Sequence, residues 1–257
     1  QVVEGEHFHL WVIEGAESLQ KELPLPSIGL DVLYVKDLTP YRTRKVRILN
    51  GAHTTLVPVA YLYGIDTVRE AVEHPVVGKF LREAIFEEII PTLELSKEEL
   101  EQFADEVIDR FRNPFIKHLL MSISLNSWSK FETRVLPSLL GYQQQTGMLP
   151  SRLVFSLAAT IAFYKGKRGE ETIALNDDAA LIGLLNHAWS KYDGTHSSVE
   201  KVVYEVLAYE KNWKKNLNEV SVLTDAVTVY LISILNDGMK KAIENIHSLK
   251  QVDERVY

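Results

Sequence analysis

Apolar residues follow two rhythms along this chain. From 7 to 14 the sequence reads His-Phe-His-Leu-Trp-Val-Ile-Glu, with Phe8, Leu10 and Val12 alternating with His9, Trp11 and Ile13. That two-residue period predicts a strand with two unlike faces. After Leu23-Pro24-Leu25-Pro26, a second β-type run spans Leu30 to Lys36. The two runs are expected to pair as a small antiparallel ribbon, and no third strong strand follows.

From Thr39 the period lengthens to nearly four. Thr39 suits an N-cap and Pro40 the first helical position, where a missing N–H costs nothing. Ile48, Leu49, Leu56, Val59, Ala60 and Leu62 form an apolar stripe that stops at Gly64, and Pro58 within it predicts a kink. A helix restarts at Asp66 or Thr67, and another covers 78–89, ending before Pro91. Ser96-x-x-Glu99 has the form of a capping box ahead of Leu100, Phe103, Val107, Ile108 and Phe111. Asn113-Pro114 breaks that helix and opens one bearing Ile116, Leu119, Leu120 and Ile123. Further helical patterns occupy 153–164, 177–189, 199–207 and 224–236, the last followed by Gly238. Polar loops are expected at 141–150 and 165–172. With no long linker and no repeat, the expectation is one mainly α, multi-helical domain over 1–257 with the β ribbon at its entry.

Composition narrows the function. Hydrophobic residues at 46% and charged residues at 25% are those of a soluble globular chain, and the net charge of −7 argues against a nucleic-acid module. No cysteine is present, which removes thiolate chemistry and Cys-ligated metals. The closest candidate for a membrane span, 226–235, is far too short. Gln1 stands first, so the chain is expected to be part of a longer protein or a processed product.

The stretch richest in chemistry is Arg42-Thr43-Arg44-Lys45-Val46-Arg47-Ile48-Leu49-Asn50-Gly51-Ala52-His53. On an α-helix Lys45, Asn50 and His53 fall at roughly 0°, 140° and 80°, sharing one broad face with His53 in the middle. An amine, an amide donor and an imidazole suit chemistry at a carbinol or carbonyl carbon. The lysine takes the hydroxyl proton, the amide holds the developing oxyanion and the histidine fixes a second hydroxyl. A lysine base must lose its proton near neutral pH, which calls for burial beneath a bound cofactor or for nearby like charge from Arg44 and Arg47. The competing reading is a basic helix face in water. The cluster Arg42, Arg44, Lys45 and Arg47 would favour an anionic ligand; the alternative is that these arginines pair with carboxylates on neighbouring helices or face cofactor phosphates.

Lys45-x4-Asn50-x2-His53, set in Lys-Val-Arg-Ile-Leu-Asn-Gly-Ala-His-Thr, resembles the catalytic signature of the mannitol dehydrogenase family, the long-chain polyol dehydrogenases. Phe8 to Gly15 resembles the strand preceding that motif, and Arg112-Asn113-Pro114-Phe115-Ile116-Lys117-His118 is also similar to the family. Asn126-Ser127-Trp128-Ser129-Lys130-Phe131-Glu132-Thr133-Arg134 occupies the place of a typical Asp-Gly-Ser segment followed by Lys and Arg, departing from it at Asn126 and Ser127. The resemblance implies a cytoplasmic, metal-independent, NAD-linked oxidoreductase. Lys45 would be general acid/base, Asn50 part of the oxyanion hole and His53 the orienting group. Lys130, Arg134 and Arg47 would contact a hexuronate-derived substrate. Tagaturonate is the first candidate and fructuronate the near rival. No Gly-x-Gly-x-x-Gly follows a strand, so NAD is expected to be held mainly by an N-terminal nucleotide-binding domain of the same protein, absent from this chain. Without that domain an apolar patch and self-association are expected.

Other signals carry less. His7-x-His9 with Glu4 and Glu6 has alternate residues on one face but no third ligand at metal spacing. His118 is either a site residue or a surface or core histidine, and Trp128 either lines a sugar pocket or packs in the core. The rival from another class is a non-enzymatic helical interaction domain, in which the basic face would spread over a convex surface.

Overall fold

The computed structural model describes residues 9–253, with side chains through Ile246. His7, Glu4 and Glu6 fall outside the described residues. Among those described, no three His, Asp or Glu gather at metal-binding spacing and no helix is long and apolar enough to cross a membrane.

β1 (Trp11–Glu14) and β2 (Val32–Val35) are joined through α1 (Ser18–Glu22) and a short 3-10 turn, Leu25–Ile28. Trp11 pairs with Val32 and Glu14 with Val35, so the two strands run parallel and not antiparallel as the sequence suggested. The Leu23–Pro26 segment is not a hairpin loop. It belongs to a crossover that carries the chain back to the end from which β1 began, the connection a parallel pair requires. This unit packs chiefly on itself.

The helical body begins with α2 (Thr39–Arg44). Thr39 is already helical, and its N–H is capped by the Asp37 carboxylate at 2.8 Å. A π-helical turn, Lys45–Asn50, links α2 to α3 (Gly51–Tyr63), and Gly64 ends α3 at φ +106° as expected. α4 (Val68–Glu73) opens on a complete Thr67–Glu70 capping box. α5 (Pro75–Glu83) starts earlier than its apolar pattern suggests, because the His74 ring accepts from the Val76 and Val77 amides. It runs into a second π turn, Ala84–Ile89. Ser96 caps α6 (Lys97–Phe111), but the Glu99 carboxylate pairs with Arg44 at 2.8 Å rather than completing the box. α7 (Leu120–Ile123), α8 (Ser127–Arg134) and α9 (Leu136–Thr146) follow, so 141–146 is helix and not loop. Next come α10 (Ser151–Phe163), the two-residue strands β3 (Lys167–Arg168) and β4 (Glu171–Thr172), α11 (Ala179–Ser190), α12 (His196–Leu207), α13 (Glu210–Trp213) and α14 (Leu223–Asp253), which bends at Gly238.

α10 is the axis of the body. Every residue from Arg152 to Phe163 is buried, the pattern of a helix surrounded on all sides. It packs against α14 and α3, and the Ser156 hydroxyl donates to the Thr55 carbonyl across the α10–α3 contact. Pro58 sits inside an uninterrupted α3 in the same interface. Trp128 is a core residue, wedged between Trp213 and Tyr164.

Pro150 brings no capping side chain to the start of α10. Glu88, 1% exposed on the second π turn, does this from across the fold. Its carboxylate accepts from the Arg152 amide at 3.0 Å, the Leu153 amide at 2.9 Å and the Arg152 guanidinium at 3.2 Å. Arg152 also binds Glu83 at 2.5 Å and Glu87 at 3.1 Å. Burial pushes the Glu88 carboxyl above its ordinary range, and the backbone amides and guanidinium pull the other way. Removing one partner of such a set strands buried charge. Glu88→Ala is therefore expected to cost about 3–5 kcal/mol, with Glu88→Gln milder, in urea unfolding at neutral pH.

Candidate active site

The first π turn determines which residues of the Lys45 helix meet. A π turn holds one more residue than an α turn, so side chains beyond it are set back by about 100°. Asn50 then stands about 40° and His53 about −20° from Lys45, instead of 140° and 80°. The three come onto a strip about 60° wide, with Lys45 between the other two rather than His53. Lys45 is exposed at the open end of the strip, and no described carboxylate pairs with its amine. Asn50 is half-buried.

His53 forms the floor. Its ring stacks on Phe111 at 4.1 Å and meets the edge of His118 at 5.3 Å. Nε2 is buried and has no hydrogen-bond partner among the described residues. Burial, reinforced by His118 and by the positive charges of Arg134, Arg110 and Lys130, drives its pKa down to about 3. His53 is therefore neutral at physiological pH, and the residue lines a cavity of about 200 Å³. Leu49, Arg110, Asn113, Ile116 and His118 also line that cavity.

α8 packs against α3 beside His53. A Cβ at Gly51 would stand 3.2 Å from the Arg134 carbonyl, so α3 and α8 cross at a contact that leaves little room for a side chain. Lys130 and Arg134, one turn apart on α8, are both half-buried, and burial lowers the pKa of each. The Lys130 amine donates to the Ile123 carbonyl at 2.8 Å. Asn126 takes a left-handed backbone, φ +53°, one residue before α8. Asn tolerates that conformation best after Gly, which fits a position in an Asp-Gly-Ser-like turn.

The structure thus brings Arg110, Lys130 and Arg134 close enough to act on His53, and helical phase puts Lys45 and Asn50 on the strip with it. Arg47 reaches the Ser138 hydroxyl on α9 at 3.3 Å, and its pKa is lowered by burial. The run Arg42–Arg47 does not act as one field. Arg44 is buried, paired with Glu99 and stacked 4.4 Å over Phe103, as the pairing alternative held. The cations that act on His53 come instead from α6 and α8. Sequence reasoning misses Arg110 because the apolar stripe dominates its segment. Its place just ahead of Phe111 and Arg112-Asn113-Pro114 is the available signal.

Residues 37–235 match the profile of the mannitol dehydrogenase C-terminal domain. The altronate oxidoreductase of Bacillus subtilis (strain 168) is 50% identical over 95% of this chain and 48% of its own length. That of Enterobacter sp. (strain 638) is 48% identical over 94% of this chain and 50% of its own length. The chain therefore spans about half the length of these relatives. Among solved structures, a Pseudomonas fluorescens mannitol 2-dehydrogenase ternary complex with NAD and D-mannitol superposes with a TM-score of 0.77 at 22% identity, over 95% of this chain and 47% of that one. A substrate-free D-sorbitol dehydrogenase gives 0.72 at 24% identity, over 92% and 46%.

The buried neutral imidazole carries a pH signature. Its folded pKa, about 3, is below the ordinary 6.5, so the unfolded chain binds the extra proton between those values. The His53 contribution is complete above pH 6.5 and is lost as pH falls toward 3, with a slope approaching about 1.4 kcal/mol per pH unit. Stability measured by urea unfolding from pH 7 to 4.5 should fall less steeply in His53→Leu than in the parent. Equal slopes would show that this ring is not the group concerned.

Proposed function

Because the chain belongs to the mannitol dehydrogenase C-terminal domain family, we propose that it is the catalytic and substrate-binding half of an NAD-dependent altronate oxidoreductase, interconverting tagaturonate and altronate. The observation that carries the reading is His53, which lines a small cavity with Arg110 and feels the charges of Lys130 and Arg134, on one helical strip with Lys45 and Asn50. The rival interaction-domain reading asks for a spread convex surface, and the buried, unpartnered His53 Nε2 does not suit it.

Among the described residues no glycine-rich turn joins a strand to a helix. β1 leads into Gly15-Ala16-Glu17 and the five-residue α1, with a single glycine in place of a glycine-rich turn. The half that this chain lacks relative to its relatives is proposed to hold NAD and to supply the hydride chemistry. This chain's residues handle the proton and the substrate. In reduction the Lys45 ammonium gives its proton to the ketone oxygen, and in oxidation the free amine takes the hydroxyl proton. Asn50 donates to the same oxygen as negative charge grows on it. His53, neutral and with Nε2 available, holds a neighbouring hydroxyl. A hexuronate carries a carboxylate, and Arg110, Lys130 and Arg134 give it a positive, partly dry setting that a neutral polyol would leave without a counter-charge.

In the full-length protein, Lys45→Ala should lower kcat for NADH-driven reduction of tagaturonate by about 10²–10⁴ with little change in KM. Near-normal turnover would reassign the base. Fructuronate assayed alongside decides between the two uronates, and no turnover of either would favour the interaction-domain reading. Arg134→Ala should raise KM for tagaturonate by about 10-fold or more, while leaving that for a neutral ketohexose nearly unchanged. Equal losses on the two substrates would remove Arg134 from carboxylate recognition.

A further inference from the structure

α8 carries Lys130 and Arg134, whose charges reach His53 from that side of the fold. Its two ends are held by different means. At the far end the Arg134 carbonyl abuts Gly51. The near end has no side-chain cap of its own: Asn126 precedes it in the left-handed conformation and makes no capping bond. Asp177, 49 residues further along the chain, supplies the missing acceptor. Its Oδ2 accepts from the Trp128 amide at 3.4 Å, and the adjoining Asn176 carbonyl accepts from the Asn126 amide at 3.0 Å. The start of α8 is thus tied to this segment at two points.

Asp177 is itself anchored to the core. Tyr164, directly after α10, is 2% exposed, and its hydroxyl donates to the same Oδ2. Burial and the Asp177 carboxylate push that hydroxyl above its ordinary pKa, so it remains a donor. Oδ1 accepts from the Asp178 amide at 2.8 Å, which orients the carboxylate. From the axis of the body to the cation the path is short. It runs through the Tyr164 hydroxyl, Asp177 and the first amides of α8 to Lys130, whose own amide donates to the Asn126 carbonyl at 3.1 Å. The ammonium is near enough to sense the carboxylate: burial and Arg134 lower the Lys130 pKa, and Asp177 opposes them.

We infer that Asp177 is a positioning residue of the site: by capping α8 while tied to Tyr164, it sets where the Lys130 ammonium stands relative to His53 and so to a substrate carboxylate. The last step rests on the function proposed above; the placement of Lys130 does not. The effect falls on the Lys130 end of α8, because the Gly51 contact holds the Arg134 end.

Steady-state kinetics of full-length Asp177→Ala, Lys130→Ala and the double variant test this. Asp177→Ala should raise KM for tagaturonate about 10-fold, with kcat and the KM for a neutral ketohexose within about 2-fold of the parent. A field effect alone has the opposite sign, since deleting a negative charge beside an anion site lowers KM. In the Lys130→Ala background the same change should add less than about 2-fold. A lowered or unchanged KM, equal losses on both substrates, or losses that multiply in the double variant would each overturn the inference. If Asp177→Ala does not fold, Tyr164→Phe removes only the hydroxyl that anchors the carboxylate and faces the same criteria. The NMR signal of the His53 ring needs no turnover. It should shift on Asp177→Ala, and not when Lys130 is already Ala. An inactive parent that shows this pattern loses the function and keeps the positioning, while an active parent with multiplying losses does the reverse.

Discussion

A single buried carboxylate organises the body of this fold. Glu88 ends a π turn on one side of α10 and satisfies the first amides of that helix, which its own preceding residue, Pro150, leaves without a side-chain cap. Buried amides without partners are costly, and α10 is buried along its whole length. Its position is therefore fixed both by apolar packing and by a directional polar contact at its head. α3 packs along α10, and the strip with Asn50 and His53 is part of, or adjoins, α3. Displacing α10 would move the floor of the cavity.

Two π turns, 45–50 and 84–89, serve separate ends by one means. Each adds a residue to a helical turn and so re-aims the side chains beyond it. The first narrows Lys45, Asn50 and His53 onto one strip, and the second ends next to Glu88. Neither was visible in the sequence. A π turn leaves the local apolar pattern almost unchanged over six residues, and its cost is recovered only through contacts distant in sequence. The residue set at 45, 50 and 53 was legible as a motif, but its α-helical phase was not the folded one.

Much of the helical body was legible because periodicity and caps are local. The stop at Gly64 and the helix start at Thr67 are where the sequence placed them. The parallel pairing of β1 and β2 was not, since direction depends on a crossover and not on either strand's pattern. Electrostatics were the least legible. Arg44 and Arg47 sit in a basic run, yet one is buried against Glu99 and Phe103 and the other turned to Ser138. The cations near His53 come from α6 and α8, more than 55 residues further along the chain. Which charges share a space is a tertiary property, and a run of like charge does not encode it.

The near contact between Gly51 and the Arg134 carbonyl holds α3 and α8 at a set separation. Backbone, not a flexible side chain, fixes the gap between the His53 imidazole on α3 and the Lys130 and Arg134 cations on α8. A residue larger than glycine at 51 would press on that carbonyl and carry the His53 imidazole away from both cations.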